Sequence, residues 1–489
     1  MKPNQLATVA LLAFFAGGCA NLPSVGPDYH APETKTPARW AGPLAGGGTN
    51  STAGTAAWWK NFHDSELDSL IARAACSNLD LRIAQARVRE ARAHYRMTAA
   101  DFWPTIDGSG SYARQRESKN QPLVGPGDHL PPGVPFENSF YQSGFDASWE
   151  IDVFGGTRRA TEAARAQVAA TQFGERELLV TLLGEVARNY VEARGYQRRL
   201  EIARDNIRAQ EQSLAIVQNR FTNGLTSDLD VQQASTVLAT TRAVVPALET
   251  ALAASIHRLG VLLGRSPESL ETELSAVAPI PAAPPQVPVG LPSELLLRRP
   301  DLALAERQLA AATANIGVAK ADLFPKFYLT GLAGFEGTSA DDWFTSGSRF
   351  WSLGPAVQWR IFDAGRIRAN VKVQDARQEQ ALASYENTAL SAFEDVENAM
   401  TAYAKEQVRR QSLAEAVKSS KESLRLANQL YANGLANFIN VLDAERSLYQ
   451  AQDALVQSDK AVTTDVIALY KSLGGGWETI GQPAALALK

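Results

Sequence analysis

Cys19 is the residue best placed to react. It follows Ala16, Gly17 and Gly18, which close an apolar stretch from Leu6 to Phe15 preceded by Lys2. A charged start, an apolar stretch too short to span a bilayer and small residues before a cut are the parts of a secretory signal. Small residues directly before a cysteine resemble a bacterial lipobox, in which the thiol is acylated and becomes the mature N-terminus. Ala16 stands where that motif usually has Leu. The expectation is a signal peptide over 1–18 and a covalent lipid, acyl and diacylglycerol, on Cys19, rather than an ordinary cleaved signal that happens to contain a cysteine.

Other reactive patterns are missing. His30, His63, His94, His129 and His257 are dispersed with no metal spacing. Gly474, Gly475 and Gly476 end a helical pattern and follow no strand, so they are no phosphate loop. No nucleophile-elbow pattern occurs, and the chain is not expected to be an enzyme. Three Met, one of them Met1, do not make a soft-metal relay. No metal and no cofactor beyond the lipid are expected. Cys76, the second of two cysteines, leaves no disulfide partner once Cys19 is lipidated, and it reads as a small buried apolar residue.

These residues sit in a chain of 489 residues with a net charge of −4 and 45% hydrophobic residues, long enough for more than one structural unit. Lys and Arg are scattered, with no basic run, which excludes a nucleic-acid partner. No apolar run of about 18 residues is read after Cys19. A chain without such a run crosses a membrane only as a closed β-barrel, because lipid offers backbone groups no hydrogen bonds.

The sequence repeats itself. Phe221-Thr-Asn-Gly-Leu225, then Val231 and Ala234, match Tyr431-Ala-Asn-Gly-Leu435, then Val441 and Ala444. Leu259, Leu263 and Gly264 match Leu469, Leu473 and Gly474 at the same spacing, as Trp149 matches Trp359. Upstream, Asp80, Leu81, Asp101 and Pro104 match Asp301, Leu302, Asp322 and Pro325 with a longer offset. The change falls in a Pro- and Gly-rich stretch from Gln121 to Pro135, which reads as a loop tip, where length differences are tolerated. Each half therefore reads helix, strand, loop, strand, long helix, short turn, helix.

Four segments, about 105–116, 140–152, 326–336 and 350–362, alternate with period two. Trp351, Leu353, Val357, Trp359 and Ile361 fall on one face, against Ser352, Gly354, Ala356, Gln358 and Arg360. Tyr141, Phe145, Trp149 and Ile151 oppose Gln142, Asp146, Ser148 and Glu150. Apolar residues on one face and small polar ones on the other are the pattern of a barrel with lipid outside and water inside. Trp149 and Trp359 fit an interfacial girdle. A soluble sheet resting on a core gives the same alternation, but the flanking long helices offer it no partner. Four strands cannot close a membrane barrel, whose smallest members have about eight, so the barrel is expected to be shared; three copies give twelve strands.

Two runs, Thr157 to about Phe221 and Arg366 to about Tyr431, lack Pro and carry little Gly. At ~1.5 Å per residue each reaches ~100 Å. Leu382, Tyr385, Ala389, Phe393, Val396, Met400 and Tyr403 recur in steps of three and four, the spacing of coiled coils. Shorter helices are expected over 65–100, 228–263, 293–321 and 438–473, the second interrupted or kinked at Pro246. Asn223-Gly224 and Asn433-Gly434 mark the helix–helix turns, which are expected at the same end of the molecule.

In this order and spacing the chain resembles the outer-membrane efflux protein family, the TolC-like channels, and most closely the lipoprotein branch serving resistance-nodulation-division pumps. The pieces that carry the resemblance are Val25-Gly-Pro-Asp-Tyr29, Trp58-Trp59 with Phe62, Gly290-Leu-Pro-Ser-Glu-Leu-Leu-Leu-Arg-Arg-Pro-Asp301, Phe324-Pro325 and Leu469-Tyr-Lys-Ser-Leu-Gly-Gly-Gly-Trp477. The resemblance implies an α+β homotrimer: a twelve-stranded outer-membrane β-barrel, four strands per chain, continued by a long α-helical periplasmic barrel. Ala20 after the lipid cysteine implies delivery to the outer membrane, lipid-anchored. The implied organisation is signal 1–18, lipidated segment 19–64, first repeat 65–264, Pro-rich equatorial linker 265–292, second repeat 293–474 and C-terminal segment 475–489.

The resemblance further implies a pore closed at its periplasmic tip until an adaptor (membrane fusion) protein docks, and an inner-membrane pump behind it. The gate positions that match are Ile439, Asp443 and Arg446; Asn440 departs from relatives that carry a second acid there. Ile439 and Asp443 share a helix face, so three copies would form an apolar and an acidic ring. The implied adaptor-docking tips are Arg220, Phe221, Gly224 and Leu225, with Leu430, Tyr431, Gly434 and Leu435. The implied cargo is drugs or other small toxic compounds. A protein-secretion duct of the same family and a periplasmic structural or adaptor lipoprotein are the alternatives; the latter needs only one helical hairpin and no lipid-facing strands.

Overall fold

A computed structural model describes residues 24–33, 36–41, 56–116, 137–284, 287 and 289–478. Cys19 and the loop from Gln121 to Pro135 lie outside them. The elements in chain order are α1 (Ser65–Ser77), α2 (Leu79–Ala100), β1 (Thr105–Arg116), β2 (Glu137–Ile151), α3 (Gly156–Thr222), α4 (Asp228–Leu262), α5 (Pro292–Arg298), α6 (Pro300–Ala321), β3 (Lys326–Gly337), β4 (Arg349–Gln358), α7 (Arg366–Ala432) and α8 (Phe438–Ser472). The repeat survives at full length: α3 and α7 each have 67 residues, α4 and α8 each 35, and α2 and α6 each 22.

The chain forms two compact units, and each is assembled from both repeats. The first comprises Met1–Ala31, Glu90–Ala169 and Arg307–Ala383. Its four strands form one antiparallel sheet in the order β1-β2-β3-β4, so β1 and β4 are open edges. The register pairs Tyr112 with Tyr141, Trp149 with Leu329 and Ala333 with Trp351. Gly155 and Gly365, both at φ 83, turn the chain from β2 into α3 and from β4 towards α7, a conformation that favours Gly.

The second unit comprises Pro32–Arg89, Ala170–Glu306 and Ser384–Lys489. Its main core gathers Leu67, Leu70, Ile71 and Ala74 of α1 with Leu183, Val186 and Tyr190 of α3. Leu259 of α4, Val396 of α7 and Val466 and Tyr470 of α8 complete it. Trp58, on a short 3₁₀ turn, is 1% exposed and stacks on Tyr470 with centroids 5.5 Å apart. Burying each such side chain contributes ~1.5–3 kcal/mol.

Five sequence expectations need correction. The helix expected over 65–100 breaks at Asn78, whose extended backbone ends α1. Its side chain accepts from Leu81 N at 2.9 Å and donates to the Leu262 carbonyl at 2.8 Å, so the break caps both α2 and the end of α4. The helix expected over 293–321 breaks at Arg299, because the residue before Pro300 is pushed out of the helical region. Arg299 Nη1 donates to the Ser472 carbonyl at 2.9 Å, the equivalent helix end in the second repeat.

Pro246 does not interrupt α4. It lies on an exposed position, where the carbonyl that loses its partner need not be buried. Cys76 is exposed rather than buried, because the buried stripe of α1 runs through Leu67, Leu70, Ile71 and Ala74 and turns Cys76 away from it. Among the described residues one helix, α4, is long and apolar enough by composition to cross a membrane, where no such run was expected. Arg242 and Glu249 are widely spaced there among Ala, Val and Leu. The C-terminal apolar residues Ile256, Leu259 and Leu262 join the core of the second unit.

Candidate functional site

Two features carry function: the faces of the sheet in the first unit and the paired hairpins of the second. On the sheet, cross-strand partners share a face. One face carries Ile106, Tyr112, Tyr141, Phe145, Trp149, Phe327, Leu329, Phe335, Trp351, Leu353 and Val357. The other carries Asp107, Ser109, Gln142, Asp146, Ser148, Glu150, Lys326, Thr330, Glu336, Ser352 and Gln358. The apolar face is bare: Trp351 is 79% exposed, Ile106 68% and Phe145 67%. A contiguous exposed apolar face of this size marks a membrane or a partner. On the polar face Asp107 stands directly opposite Asp146, an arrangement that like charges tolerate only in water.

Trp149 and Trp359 are tied down in the same way. Trp149 Nε1 donates to the Phe102 carbonyl at 2.8 Å, and Trp359 Nε1 donates to the Leu323 carbonyl at 3.1 Å. Each acceptor lies in the helix-to-strand turn just before Pro104 or Pro325. Trp359 lies beyond β4, which ends at Gln358.

The segment from Val25 to Asp28 is strapped to the rest of the first unit. Val25 N donates to the Phe154 carbonyl at 3.0 Å. Arg159, whose side chain is 6% exposed, donates to the Val25 carbonyl at 3.2 Å and pairs with Asp28 at 2.6 Å. That guanidinium holds the Asp28 carboxyl below its ordinary range. Gly26, at φ 97, lies so close to Gly317 that an added Cβ would come within 2.5 Å of its Cα.

In the second unit the hairpin turns are two copies of one motif. Gly224 N donates to the Phe221 carbonyl and Leu225 N to the Arg220 carbonyl, at 2.9 and 2.8 Å. Gly434 to Tyr431 and Leu435 to Leu430 repeat this at 3.0 and 2.9 Å. These are helix ends closed by a left-handed residue, with Gly at φ 70 and 74. The two hairpins pack together through Val217, Ala234, Val237, Phe438, Val441 and Leu442, as expected for tips at one end.

The structure brings Arg220 and Tyr431 together: the guanidinium sits 4.6 Å from the ring centroid and reaches the Tyr431 carbonyl at 3.5 Å. Phe221, Leu225, Leu430 and Leu435 stay exposed. Ile439 is exposed on the first turn of α8, and Asp443 pairs with Arg446 at 3.7 Å in solvent.

Two acids were missed by sequence reasoning. Glu445 is buried on α8, where burial raises its pKa and the Ser213 hydroxyl opposes this. Asp465, also on α8, is pushed up to about 6 by burial first and by the Glu406 charge second. The signal for Glu445 was present: it interrupts the apolar stripe of Val441, Leu442 and Leu448, at a position where the first repeat carries Ser235.

The model of the family described as "Outer membrane efflux protein" matches residues 70–265 and 291–475. The chain is 34% identical over 482 residues to the solvent efflux pump outer membrane protein SrpC of Pseudomonas putida, covering 98% of this chain and 99% of that one. It is 31% identical over 489 residues to the cation efflux system protein CusC of Escherichia coli strain K12, covering 97% and 100%. Among solved structures, the outer-membrane channel OprN superposes with a TM-score of 0.85 at 36% identity, covering 93% of this chain and 99% of that chain.

Proposed function

The chain belongs to the outer membrane efflux protein family, and from that premise we propose that three copies form the exit duct of a tripartite efflux pump. It is an outer-membrane efflux channel subunit. The observation that carries the rest is the two-faced sheet with two open edges. An open edge in hydrocarbon leaves N–H and C=O groups unpaired, at several kcal/mol each, so β1 of one copy must meet β4 of another. The apolar face then contacts lipid and the polar face lines water.

Cys19, acylated, anchors the chain, and the strap of Val25 to Asp28 holds the following segment against the first unit. The exposed apolar residues of the two turns, Phe221, Leu225, Leu430 and Leu435, dock a periplasmic adaptor, behind which an inner-membrane pump supplies cargo. Ile439, Asp443 and Arg446 gate the tip. Water and solute pass without a catalytic step. The cargo is drugs or other small toxic compounds; Met400 is buried in the core and Met97 is exposed on α2, so the described residues give no support to a methionine relay for soft metals.

The test is the purified full-length protein in detergent and in planar bilayers. A heat-modifiable trimer with a small closed-state conductance, raised by Asp443→Ala, is expected. A monomer that stays soluble once its acyl chains are removed would defeat the channel reading.

A further inference from the structure

Glu445 is a carboxylic acid in a dry helix contact. It is 5% exposed, in a stripe with Val441, Leu442 and Leu448. Its Oε1 accepts from the Ser213 hydroxyl of α3 at 2.5 Å, while its Oε2 is buried without a partner. One turn away on α3, Gln210 is 3% exposed and also buries its Oε1 without a donor. An orphan buried acceptor costs ~1–3 kcal/mol. An ionised Glu445 brings a charge and no hydrogen; a protonated one brings the O–H that the contact lacks.

The neighbouring charges do not neutralise it. On α8, Asp443 pairs with Arg446 in solvent. On α3, Glu211 pairs with Arg242 of α4, and Arg208 with Asp205. On α7, Glu422 pairs with Arg425, and Lys421 is exposed. All of these paired side chains are at least 46% exposed.

We propose that Glu445 is a proton-operated latch between the two hairpins of the tip: protonated, it holds α8 against α3, and ionised, it favours their separation. This rests on the reading of the tip as the gate. The sign follows from burial, which raises the pKa of Glu445 in the packed tip. The stabilisation is therefore complete at acid pH and is lost as pH rises through that raised value. Each unit of pKa difference between packed and separated tips changes the balance up to about tenfold.

The test uses the full-length trimer, with planar-bilayer conductance and hydrogen exchange of segments 206–222 and 438–449, each exchange rate taken relative to the intrinsic amide rate at the same pH, read from about pH 5 to about pH 8. Wild type should conduct several-fold more, and exchange faster at the tip, at the alkaline end. Glu445→Gln, which is neutral and can donate from its amide, should stay at the acid-limit values throughout. Asp443→Ala should conduct more overall yet keep the pH response. A full pH response surviving in Glu445→Gln, or tip exchange independent of pH in wild type, overturns the latch. Unchanged conductance in Asp443→Ala overturns the gate instead, and the exchange data then still decide the latch. Wild-type exchange also decides it where Glu445→Gln yields no trimer.

Discussion

Trp149 donates its indole hydrogen to the carbonyl of Phe102 at 2.8 Å, bridging the end of β2 to the turn that starts β1. Its counterpart Trp359 makes the same bond to Leu323 at 3.1 Å. Each bond fixes where a strand pair begins relative to the preceding helix, in both repeats. Trp149→Phe keeps an aromatic ring, though a smaller one, and removes the donor, leaving the Phe102 carbonyl short of a partner. A loss of ~0.5–1.5 kcal/mol follows. It should appear as a lower melting temperature of the trimer band on semi-native gels, with Trp359→Phe smaller because that ring is more exposed. Equal melting of all three proteins would show that the bonds are incidental.

The sheet faces predict opposite responses to neighbouring substitutions. Trp351 and Ser352 are adjacent, yet one lies on the apolar face and one on the polar face. Trp351→Arg places a charge in hydrocarbon at ~2–4 kcal/mol near the midplane, per copy. Trimer yield in the outer membrane should fall sharply. Ser352→Arg should assemble normally and change only conductance. The reverse ranking would mean that lipid and water have been assigned to the wrong faces.

Much of this organisation was legible in the sequence, and the reason is the repeat. Phe221 to Leu225 and Tyr431 to Leu435 located both hairpin turns because positive φ at Gly224 and Gly434 leaves few alternatives. Strand β1 was placed at its observed ends because Pro104 closes the helical pattern before it and the Pro- and Gly-rich loop sequence follows it. The breaks at Asn78 and Arg299 were not legible. They serve tertiary partners, the ends of α4 and α8, and leave helical periodicity on both sides nearly unbroken. Cys76 was misplaced because a residue type says less than its angle around α1. Glu445 was passed over because exposed acids dominate helices of this composition.

Glycine substitutions separate backbone strain from packing. Gly224 and Gly264 have similar φ, 70 and 65, but an added Cβ at Gly224 meets nothing, while at Gly264 it comes 2.4 Å from the Ser77 carbonyl. Gly224→Ala costs only the left-handed conformation, ~1–2 kcal/mol. Gly264→Ala adds a clash with backbone that is itself pinned through Asn78. Limited proteolysis of the assembled trimer should be near wild type for Gly224→Ala and markedly faster for Gly264→Ala. Similar rates would remove the packing role of the break at Asn78.

Arg220 covers the Tyr431 ring and joins the two hairpins within one chain. The contact contributes ~0.5–2 kcal/mol, depending on how well it is desolvated. Arg220→Ala should loosen one tip against the other without touching the apolar contacts of Val217 with Val441 and Leu442. Closed-state conductance should rise, Arg220→Lys should restore part of the closure, and trimer yield should not change. A conductance indistinguishable from wild type in Arg220→Ala would assign the contact to folding alone.

Asp465 gives the second unit its own pH dependence. Burial and the Glu406 charge raise its pKa from 3.8 to about 6. A carboxyl whose pKa is higher folded than unfolded adds stability that is complete below the unfolded value and fades as pH climbs through the folded one. The helical unit should therefore unfold at lower temperature at about pH 8 than at about pH 4, with the loss running between the ordinary value of 3.8 and about 6. Asp465→Asn is uncharged at every pH, so it should flatten this step and raise thermal stability on the alkaline side. Glu406→Gln should pull the alkaline end of the step towards lower pH without abolishing it, because only the smaller of the two causes is removed. Circular dichroism melts across the range read all three, and a step unchanged in Asp465→Asn would assign the titration to another group.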